Sequence, residues 1–581
     1  MHLNPDQRAA ITHRGHCAIV ACPGSGKTRV LVEKAAHILT TETAATVLIV
    51  TFTRDAAREV RTRLEQRVPQ AIARVEAQTF HAVAIRHCLA SGLFRQLLGP
   101  AQQAALLRRA WNHAAATIPW ETFRRVADAR TSGLATPSPD PCFETAFEYY
   151  LELLETHAAL DLGNVIVRSA QAIRAGTLPP VPCSYIMVDE AQDVSPAQME
   201  WAFAHAERGA VTVVVGDDDQ AIYGWRGALG HAALDQMVRR LEARLITLQV
   251  NYRSHSEILG LASRLICNNS GRVTKELEAH RGPGGSVTLL PCADSQQEVE
   301  EIVERVRRSP GDWAILARSN FKLDHVEQGL IRAQVPYVRP GSKDFWESEG
   351  PALLLALLAM RQVPDPLTLG AALSHAGVPE PDIRRIVTPS GLSPPRRRAG
   401  LEATTLERAA SLERCLAGLP GSQPEMAIRS ISHWLLTHSS RGNASTCALN
   451  AATDVLLALS GSLVERVRYL LRPQRRQATD TVTLTTFHNS KGCEYPRVIA
   501  CGLIEGVVPS RKTESIEEER RLLYVAMTRA QSELVLSFPW RLVQQGEKVR
   551  RLVKATPSRF LTMDLGIPLS DPYPDPSTVH D

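Results

Sequence analysis

Short apolar runs, separated by stretches with helical periodicity, are the feature of this 581-residue sequence that most restricts its fold. Each run has about four to six apolar or β-branched residues, the pattern of parallel strands that are covered on both faces. Helical patterns lie between many of the runs, for example at residues 28–39 and 56–67. This alternation predicts α/β domains with parallel sheets flanked by helices. The predicted strands are residues 17–21, 46–51, 185–188, 211–215, 245–248, 313–317, 482–485 and 498–501.

Two long stretches, residues 82–180 and 350–475, interrupt this alternation. Both are rich in Ala, Leu and Arg and carry helical periodicity without a clear strand. We interpret them as mainly helical insertions in α/β domains. Within the second stretch, the Pro-rich run at 388–398 predicts a loop or linker. The residues after Asp564 include several Pro and Asp and predict a disordered tail.

Charge and targeting signals place few limits on the partners of the chain. The formal net charge is +5 and the pI is about 8.6, which permits a polyanionic partner without requiring one. No secretory signal is visible. The longest apolar run, at about 352–360, is far shorter than the roughly 20 residues that span a bilayer. Eleven Cys without a C-x-x-C pair argue against a disulfide framework or an iron–sulfur cluster. We therefore expect a cytoplasmic protein with no membrane partner.

Residues 21–28 (ACPGSGKT) follow a predicted strand and open a predicted helix, which is the context of a phosphate-binding P-loop. The glycines let backbone N–H groups curl around phosphate, and the helix N-terminus adds its positive end. Lys27 would reach the β- and γ-phosphates of a nucleotide, and the Thr28 hydroxyl would ligate Mg²⁺. Ala21 stands where the strict motif has Gly. The alternative interpretation is a glycine turn at an ordinary helix start.

Two carboxylates at the end of a later predicted strand are the partner that a P-loop requires, since residues 186–190 read IMVDE. Asp189 would hold Mg²⁺ directly or through water, and Glu190 would polarise the attacking water as a general base. Farther along, Gln220 follows another strand end and would sense the γ-phosphate. Two solvated carboxylates without a catalytic role are the alternative. In combination, these residues predict a Mg²⁺-dependent nucleoside triphosphatase.

Residues 215–228 (VGDDDQAIYGWRGA) combine carboxylates, an amide and an aromatic–Arg cluster. Tyr223, Trp225 and Arg226 would stack on bases and hold a backbone phosphate, which is how proteins grip single strands without reading their sequence. The alternative is an aromatic plug in the core. The pattern favours a nucleotide-driven machine that acts on nucleic acid.

The order of these motifs resembles that of the UvrD/Rep family of superfamily 1 DNA helicases. Residues 188–193 (VDEAQD) and 215–228 resemble two family motifs, and the resemblance extends from about residue 3 to 540. The other matching runs are LNPDQ at 3–7, VTFTRDAA at 50–57, QTFH at 78–81, NYRS at 251–254, TTFHNSKGCEY at 485–495 and EEERRLLYVAMTRA at 517–530.

The resemblance implies two RecA-like P-loop motor domains, each interrupted by a mainly helical insertion. The first motor domain then comprises residues 1–81 and 181–250, with a helical insertion at 82–180. The second motor domain comprises 251–349 and 476–563, with a short insertion at 350–475, and the disordered tail is 564–581.

The resemblance also implies that ATP lies between the motor domains. Tyr252 would stack on adenine, Gln7 would read it, and Glu494 would contact the ribose. Arg253 and Arg529 would reach the γ-phosphate, where an Arg stabilises transition-state charge. The implied ATP-binding residues are Gln7, Gly24, Ser25, Gly26, Lys27, Thr28, Arg29, Tyr252 and Glu494. The implied catalytic residues are Lys27, Asp189, Glu190, Gln220, Arg253 and Arg529, and the metal ligands are Thr28 and Asp189.

A second set of matching positions would line the DNA track of the family. These residues are Phe52, Thr53, Thr79, His81, Tyr223, Trp225, Arg226, Thr486 and His488. Asp55 departs from the family pattern and places a negative charge near the implied track. Residues 517–521, a spaced run of Glu and Arg, are interpreted as a solvated helix face.

The function implied is that of an ATP-dependent 3′–5′ DNA helicase that acts on single-stranded DNA and on duplexes with a 3′ tail. Its roles would lie in DNA repair, replication restart or defence. The alternative is an ATP-gated DNA-binding subunit of a repair or anti-phage complex, with a protein partner and little unwinding. Both insertions look shorter than in the best-known members, which favours the alternative modestly, and activity on RNA stays open.

Overall fold

The structure, a computed structural model, describes residues 3–309, 311–340, 346, 349–360, 365–388, 391–419, 423–438, 443–471, 481–545 and 550–573. Contacts divide the described chain into two compact units, and neither unit is contiguous in sequence. Unit 1 lies within Met1–Ser286, Pro509–Ser532 and Arg559–Ile567, and unit 2 lies within Val287–Val508, Glu533–Ser558 and Pro568–Asp581.

The described strands, in chain order, are β1 Cys17–Ala21, β2 Val47–Thr51, β3 Val75–Thr79, β4 Gln96–Leu97, β5 Ala159–Leu160, β6 Tyr185–Val188, β7 Val211–Gly216, β8 Arg244–Leu248, β9 Val250–Asn251, β10 Glu278–Ala279, β11 Ser286–Cys292, β12 Trp313–Ala317, β13 Tyr337–Val338, β14 Val387–Thr388, β15 Gly391–Leu392, β16 Val482–Thr486, β17 Tyr495–Cys501, β18 Ala530–Pro539, β19 Arg541–Gln545 and β20 Arg550–Lys554.

The described α-helices are α1 Pro5–Thr12, α2 Lys27–Thr41, α3 Arg54–Arg67, α4 Phe80–Ala90, α5 Pro100–Ala114, α6 Trp120–Thr131, α7 Pro141–Thr156, α8 Asn164–Ala175, α9 Pro196–Ala206, α10 His231–Leu241, α11 Ser256–Ile266, α12 Ser295–Arg308, α13 Asn320–Arg332, α14 Glu349–Ala359, α15 Pro366–His375, α16 Glu380–Ile386, α17 Ala403–Ala417, α18 Pro424–Thr437, α19 Asn443–Ala458, α20 Leu463–Leu471 and α21 Ile516–Met527.

Unit 1 is built on a six-stranded parallel sheet with the strand order β3-β2-β6-β7-β1-β8. Strand β1, which lies between β7 and the edge strand β8, is buried throughout, and alternate residues belong to two separate apolar clusters. Ala18 and Val20 face one cluster, whereas Cys17, Ile19 and Ala21 face the other. The sheet is therefore covered on both faces, as its continuous apolar strands require. All the strands are parallel, so the carboxyl ends of β1, β6 and β7 meet at one edge.

Helices α5, α6 and α7, which lie within the stretch 82–180 predicted as an insertion, pack around an apolar cluster of their own that includes Phe123 and Phe143. The buried Tyr150 hydroxyl donates a 2.6 Å hydrogen bond to Asp161, and the same carboxylate accepts hydrogen bonds from the backbone and side chain of Asn164. This polar contact ties α7 to the start of α8. Helices α5 to α7 thus have a core of their own, whereas α8 shares an apolar cluster with one face of the sheet.

Unit 2 is built on a second six-stranded sheet, ordered β11-β18-β17-β12-β16-β13, in which β12 pairs in parallel with both β16 and β17. Helices α14 to α20 follow β13 and precede β16. Their apolar side chains share one continuous cluster with one face of β12, in which Trp313, Ile315 and Ala317 lie. The second insertion is therefore packed as an extension of this sheet's core.

The eight strands predicted from apolar runs are confirmed, with ends that shift by at most three residues, and so are the helices predicted at 28–39 and 56–67. Strand β3 was missed because it lies at the sheet edge and buries only Ala77 among polar neighbours. Strand β18 was also missed, although it lies inside the second sheet and is buried over residues 534–539. The run predicted as a loop at 388–398 contains a short antiparallel pair, β14 with β15, and a 3₁₀ turn at Pro395–Arg398.

The predicted disordered tail is described as far as Tyr573, whose carbonyl accepts a hydrogen bond from Arg541. Residues 574–581, the remainder of that prediction, lie outside the described residues. Among the helices that the structure describes, none combines the length and the apolar character needed to cross a bilayer.

Candidate nucleotide and DNA site

The loop between β1 and α2 has the backbone shape of a phosphate cradle. Gly24 and Gly26 adopt φ of +66° and +82°, a left-handed conformation that residues with a Cβ rarely adopt. The Ser25 hydroxyl donates a 2.8 Å hydrogen bond to the Cys22 carbonyl and closes the turn. No side chain caps the N-terminus of α2, so its N–H groups stay available to an anion beside Lys27 and Thr28.

Residues 251–253 pack against the P-loop and form hydrogen bonds to its backbone. The Asn251 side chain donates a 2.7 Å hydrogen bond to the Pro23 carbonyl, and the Tyr252 N–H donates to the Gly24 carbonyl at 3.0 Å. A Cβ at Gly24 would lie only 2.6 Å from the Cβ of Arg253, so only glycine allows this approach. The structure thus brings the predicted residues Tyr252 and Arg253 to the P-loop. Asn251 is a P-loop contact that the sequence did not single out.

Gln7 packs against the same loop and is almost fully buried. Its Nε2 donates a 3.0 Å hydrogen bond to the Ser25 carbonyl, and its Oε1 accepts one from the Asn4 backbone in the capping box of α1. The Asn4 side chain in turn donates to the Tyr252 hydroxyl at 3.0 Å. The N-terminal segment therefore connects the P-loop to the predicted adenine-stacking ring. Recognition of adenine by Gln7 stays a prediction.

Asp189 and Glu190 follow β6 at the same edge. Burial and the neighbouring Glu190 raise the pKa of Asp189 to about 7, although Lys27 acts in the opposite direction. Glu190 adopts φ of +51°, which is strained for a residue with a side chain. Gln192 joins the strand ends: its Nε2 donates to Glu190 at 2.5 Å, and its Oε1 accepts from the Asp217 N–H at 2.9 Å. Gln192 is a second connection that the sequence did not single out.

Three consecutive buried carboxylates, Asp217, Asp218 and Asp219, form the one cluster of at least three acidic, His or Cys side chains among the described residues whose spacing could suit a metal ion. Two cations already fill it. The Lys275 ammonium lies 2.9, 2.6 and 2.9 Å from the three carboxylates in turn, and Arg272 forms a bidentate pair with Asp219 at 2.8 and 2.7 Å. The group is therefore an ion-pair network and not a metal site.

Lys275 is the residue that makes this network possible. Its side chain is fully buried. Burial works to lower the pKa of Lys275, but the three carboxylates outweigh it and hold that pKa above its ordinary range. Burial likewise works to raise the pKa of Asp217, whereas Lys275 and Lys27 lower it below its usual value. Asp217 stays ionised and lies 3.9 Å from the ammonium of Lys27.

Helix α21 brings Arg529 to the same edge. Arg529 follows the C-terminus of α21 and is 1% exposed; its guanidinium donates to the Val525 carbonyl at 2.9 Å and to Gln220 Oε1 at 3.3 Å. Gln220 donates its amide N–H to Asp217 at 2.5 Å. Arg253 donates to the Thr528 carbonyl at 3.2 Å. Both predicted Arg residues therefore lie in unit 1 with the P-loop.

Residues 517–521, at the start of α21, were interpreted as a solvated helix face, and that interpretation is wrong. Glu519 and Arg520 are buried. Arg520 donates to Asn269 and to Asp564, each side chain lying 2.5 or 2.6 Å away, and Glu517 accepts hydrogen bonds from Ser270. The spacing of the charges did not indicate a solvated face here, because Glu517, Arg520 and Arg521 have partners from distant parts of the chain.

An exposed aromatic patch surrounds the residues predicted to stack on DNA. Trp225 is 65% exposed and Phe52 39% exposed. Phe52 stacks on Tyr223 with ring centroids 5.7 Å apart, Tyr223 meets Trp225 edge-on at 6.5 Å, and the Arg226 guanidinium lies 4.5 Å above the Trp225 ring. We call residues 217–226, which carry most of this patch, the aromatic loop. Its exposure does not fit an aromatic plug in the core.

The remaining predicted DNA residues lie at the ends of other strands. Thr53 and Thr79 cap α3 and α4 with their hydroxyls, and His81 lies in the first turn of α4, where burial lowers its pKa. Thr486 and His488 lie at the end of β16 in unit 2 and are half-buried. Glu494, the predicted ribose contact, is exposed in unit 2, whereas Arg29 lies in the first turn of α2. Roles for these residues stay predictions.

The raised pKa of Asp189 has a consequence for stability without any ligand. A carboxylate whose pKa is higher in the folded state costs stability above pH 7, and this cost disappears as pH falls toward its ordinary pKa. We expect Asp189→Asn to increase the free energy of unfolding, measured by urea titration in the presence of a metal chelator. The increase should be on the order of a few kcal/mol at pH 8 and clearly less at pH 5.

Asp217→Asn is the matched control, because its pKa is shifted in the opposite direction. This variant should lower the urea midpoint at pH 8, since it removes a partner of Lys275 and Lys27. An equal effect of Asp189→Asn at both pH values would contradict the placement of this carboxylate.

Two family models match the chain. One, described as the UvrD/REP helicase N-terminal domain, matches residues 3–93 and 122–237, and the other, described as the UvrD-like helicase C-terminal domain, matches residues 246–366 and 464–539. The matches include the P-loop, the aromatic loop and α21.

Known proteins are similar over almost the whole chain. The ATP-dependent DNA helicase Rep of Escherichia coli K12 is 29% identical, over 97% of this chain and 94% of that protein. DNA helicase II of the same organism is 28% identical, over 96% and 87%. The ATP-dependent DNA helicase PcrA of Leuconostoc citreum is 27% identical, over 96% and 84%.

Proposed function

Because the chain belongs to the UvrD/Rep family of superfamily 1 helicases and is an ATP-dependent DNA helicase, we propose that it moves 3′ to 5′ along single-stranded DNA and unwinds 3′-tailed duplexes. The observation that carries this proposal is the aromatic loop. Its first residues, Asp217 and Gln220, contact the side chains of the nucleotide site, and a few residues later Trp225 is exposed to solvent. One short loop can therefore respond to nucleotide and hold DNA.

The chemistry of hydrolysis follows from the residues at the sheet edge. Lys27 and the N–H groups of the P-loop would bind the phosphates of ATP, and Thr28 and Asp189 would hold Mg²⁺. When bound, this ion neutralises charge that develops on the phosphate oxygens. Glu190 would orient and deprotonate the attacking water. Arg253 and Arg529 would stabilise the charge of the transferred phosphoryl group.

The fit of Mg²⁺ to this site is supported by the state of Asp189. The raised pKa of the buried Asp189 indicates that nearby cations do not fully compensate its negative charge. A bound divalent cation would supply the missing positive charge. The buried acidic group at Asp217 differs, because Lys275 and Arg272 already neutralise it. We therefore assign Mg²⁺ to Asp189 and Thr28.

The grip on DNA is assigned to the aromatic patch. Bases would stack on Trp225 and Phe52, and Arg226 would hold the backbone, a combination that tolerates any sequence. Thr53, Thr79 and His81 of unit 1 would add to this grip, and DNA contacts by Thr486 and His488 of unit 2 are a separate part of the proposal. We also propose that the protein acts in DNA repair, replication restart or defence, together with a protein partner.

The test is to measure ATP hydrolysis and strand separation in parallel on 3′-tailed, 5′-tailed and blunt DNA duplexes, with a 3′-tailed RNA duplex as comparison. We expect DNA to stimulate hydrolysis and only the 3′-tailed duplex to be unwound. Unwinding of the 5′-tailed duplex would contradict the direction. Stimulation of hydrolysis without unwinding would support the alternative, an ATP-gated DNA-binding subunit.

A further inference from the structure

Helix α21 touches the aromatic loop at two separate points. Near the start of the loop, Gln220 Oε1 accepts a hydrogen bond from Arg529, just beyond the C-terminus of α21. Near its end, the Glu518 carboxylate in the first turn of α21 lies against the Gly224 backbone; burial raises the pKa of Glu518, and the facing backbone N–H groups of Gly224 and Trp225 act to lower it. One rigid helix therefore holds both ends of the loop.

The fit at the second point is close. A Cβ at Gly224 would overlap a carboxylate oxygen of Glu518, so a larger residue here would displace that carboxylate from the loop. Glu518 is half-buried, and Ser515 caps the same helix end by accepting a hydrogen bond from the Glu518 N–H at 3.2 Å. A carboxylate in the first turn of a helix is favoured by the helix dipole, which here also aims it at two N–H donors.

The contacts continue from the helix to the P-loop. Arg529 contacts Gln220, Gln220 donates to Asp217 at 2.5 Å, and Asp217 lies 3.9 Å from Lys27. Tyr524, in the middle of α21, is fully buried, and its ring lies near Asp217 and Asp219. A displacement of α21 would therefore be felt at both the nucleotide side chains and the exposed Trp225.

We propose that Glu518 is a positioning residue that fixes the exposed end of the aromatic loop on α21 and thereby couples DNA binding to ATP hydrolysis. The inference rests on the proposed function, because it requires that the aromatic patch binds DNA. Glu518 touches neither nucleotide nor DNA in this scheme. It acts through the backbone of Gly224 and Trp225, so its role depends on hydrogen-bond acceptance and not on negative charge.

The experiment compares Glu518→Ala and Glu518→Gln with the unaltered full-length chain. In Glu518→Ala we expect ATP hydrolysis without DNA to stay within about twofold, because the nucleotide side chains are untouched. The concentration of oligo(dT) that gives half-maximal stimulation should rise roughly tenfold, since the loss of one ordered base stack has about this effect. Glu518→Gln should retain most of the stimulation, because an amide oxygen also accepts hydrogen bonds.

Glu514→Ala is the matched control. Glu514 is exposed and precedes α21, so this variant removes one negative charge near the same helix end without releasing the loop. Trp225→Ala, alone and combined with Glu518→Ala, distinguishes positioning from general damage. If Glu518 acts through the loop, then the loss of oligo(dT) affinity on removing Trp225 should be much smaller in the Glu518→Ala background.

Several outcomes would overturn the inference. Additive effects of Glu518→Ala and Trp225→Ala would do so, as would equal losses of basal and DNA-stimulated hydrolysis in Glu518→Ala, or failure of Glu518→Gln to rescue. These results leave the proposed function intact as long as DNA stimulates the unaltered chain. Absence of that stimulation would instead overturn the proposed function, and the inference with it.

Discussion

Lys27→Ala is expected to abolish ATP hydrolysis while a weak affinity for single-stranded DNA remains. Lys27 lies at the start of α2, and its ammonium is 3.9 Å from the Asp217 carboxylate. Removing a preorganised cation that meets developing phosphate charge lowers turnover by roughly 10²–10³-fold or more. Steady-state hydrolysis with saturating oligo(dT) measures the loss.

The matched control for this variant is Lys512→Ala, which removes an exposed ammonium of unit 1. It should hydrolyse ATP at nearly the rate of the unaltered chain. Binding of labelled oligo(dT) by Lys27→Ala separates a damaged nucleotide site from an unfolded protein. Substantial turnover by Lys27→Ala would refute the assignment of the phosphate site.

Lys275→Met is expected to cause the largest loss of stability. It would leave buried carboxylates without their cation, and breaking a buried ion pair on one side costs roughly 3–5 kcal/mol. Arg272 would still compensate Asp219, whereas Asp217 and Asp218 would lose a partner at 2.9 and 2.6 Å. Urea unfolding, followed by circular dichroism, measures the change.

A second substitution tests whether charge is the cause. Asp218→Asn in the Lys275→Met background removes one of the uncompensated carboxylates, so it should recover part of the lost stability even though Asp218→Asn alone should destabilise. Lys512→Met, at an exposed position, should leave the midpoint nearly unchanged. A Lys275→Met protein as stable as this control would contradict the buried network.

The sequence predicted the parts of the fold and site that depend on local pattern. Buried parallel strands are continuous apolar runs, so β1, β2, β6, β7, β12, β16 and β17 were recognised, although β18, which lies inside the second sheet, was not. The P-loop is a contiguous motif in which Gly24 and Gly26 adopt backbone conformations that other residues rarely adopt. The edge strand β3 was missed because an edge strand keeps polar residues on its exposed positions. Local periodicity cannot distinguish such a strand from a loop.

The partners of buried charges could not be predicted in the same way, because they come from distant segments. Lys275 lies 56 to 58 residues from the carboxylates with which it pairs, and no motif beside it in the sequence indicates these partners. One signal was present: the chain has only nine Lys among its 66 basic residues, and none between Lys34 and Lys275. A compact ammonium that three carboxylates can surround is something that Arg, the habitual cation of this chain, cannot supply.

Unit 1 is not contiguous in sequence, and this determines when its nucleotide site can first hydrolyse ATP during synthesis. Its sheet is complete once β8 has been synthesised, but Arg529 and Glu518 belong to Pro509–Ser532, near the end of the chain. A nascent polypeptide still attached to the ribosome can therefore form the P-loop long before it can complete the hydrolytic edge. ATP hydrolysis is therefore withheld until residues 509–532 have been synthesised.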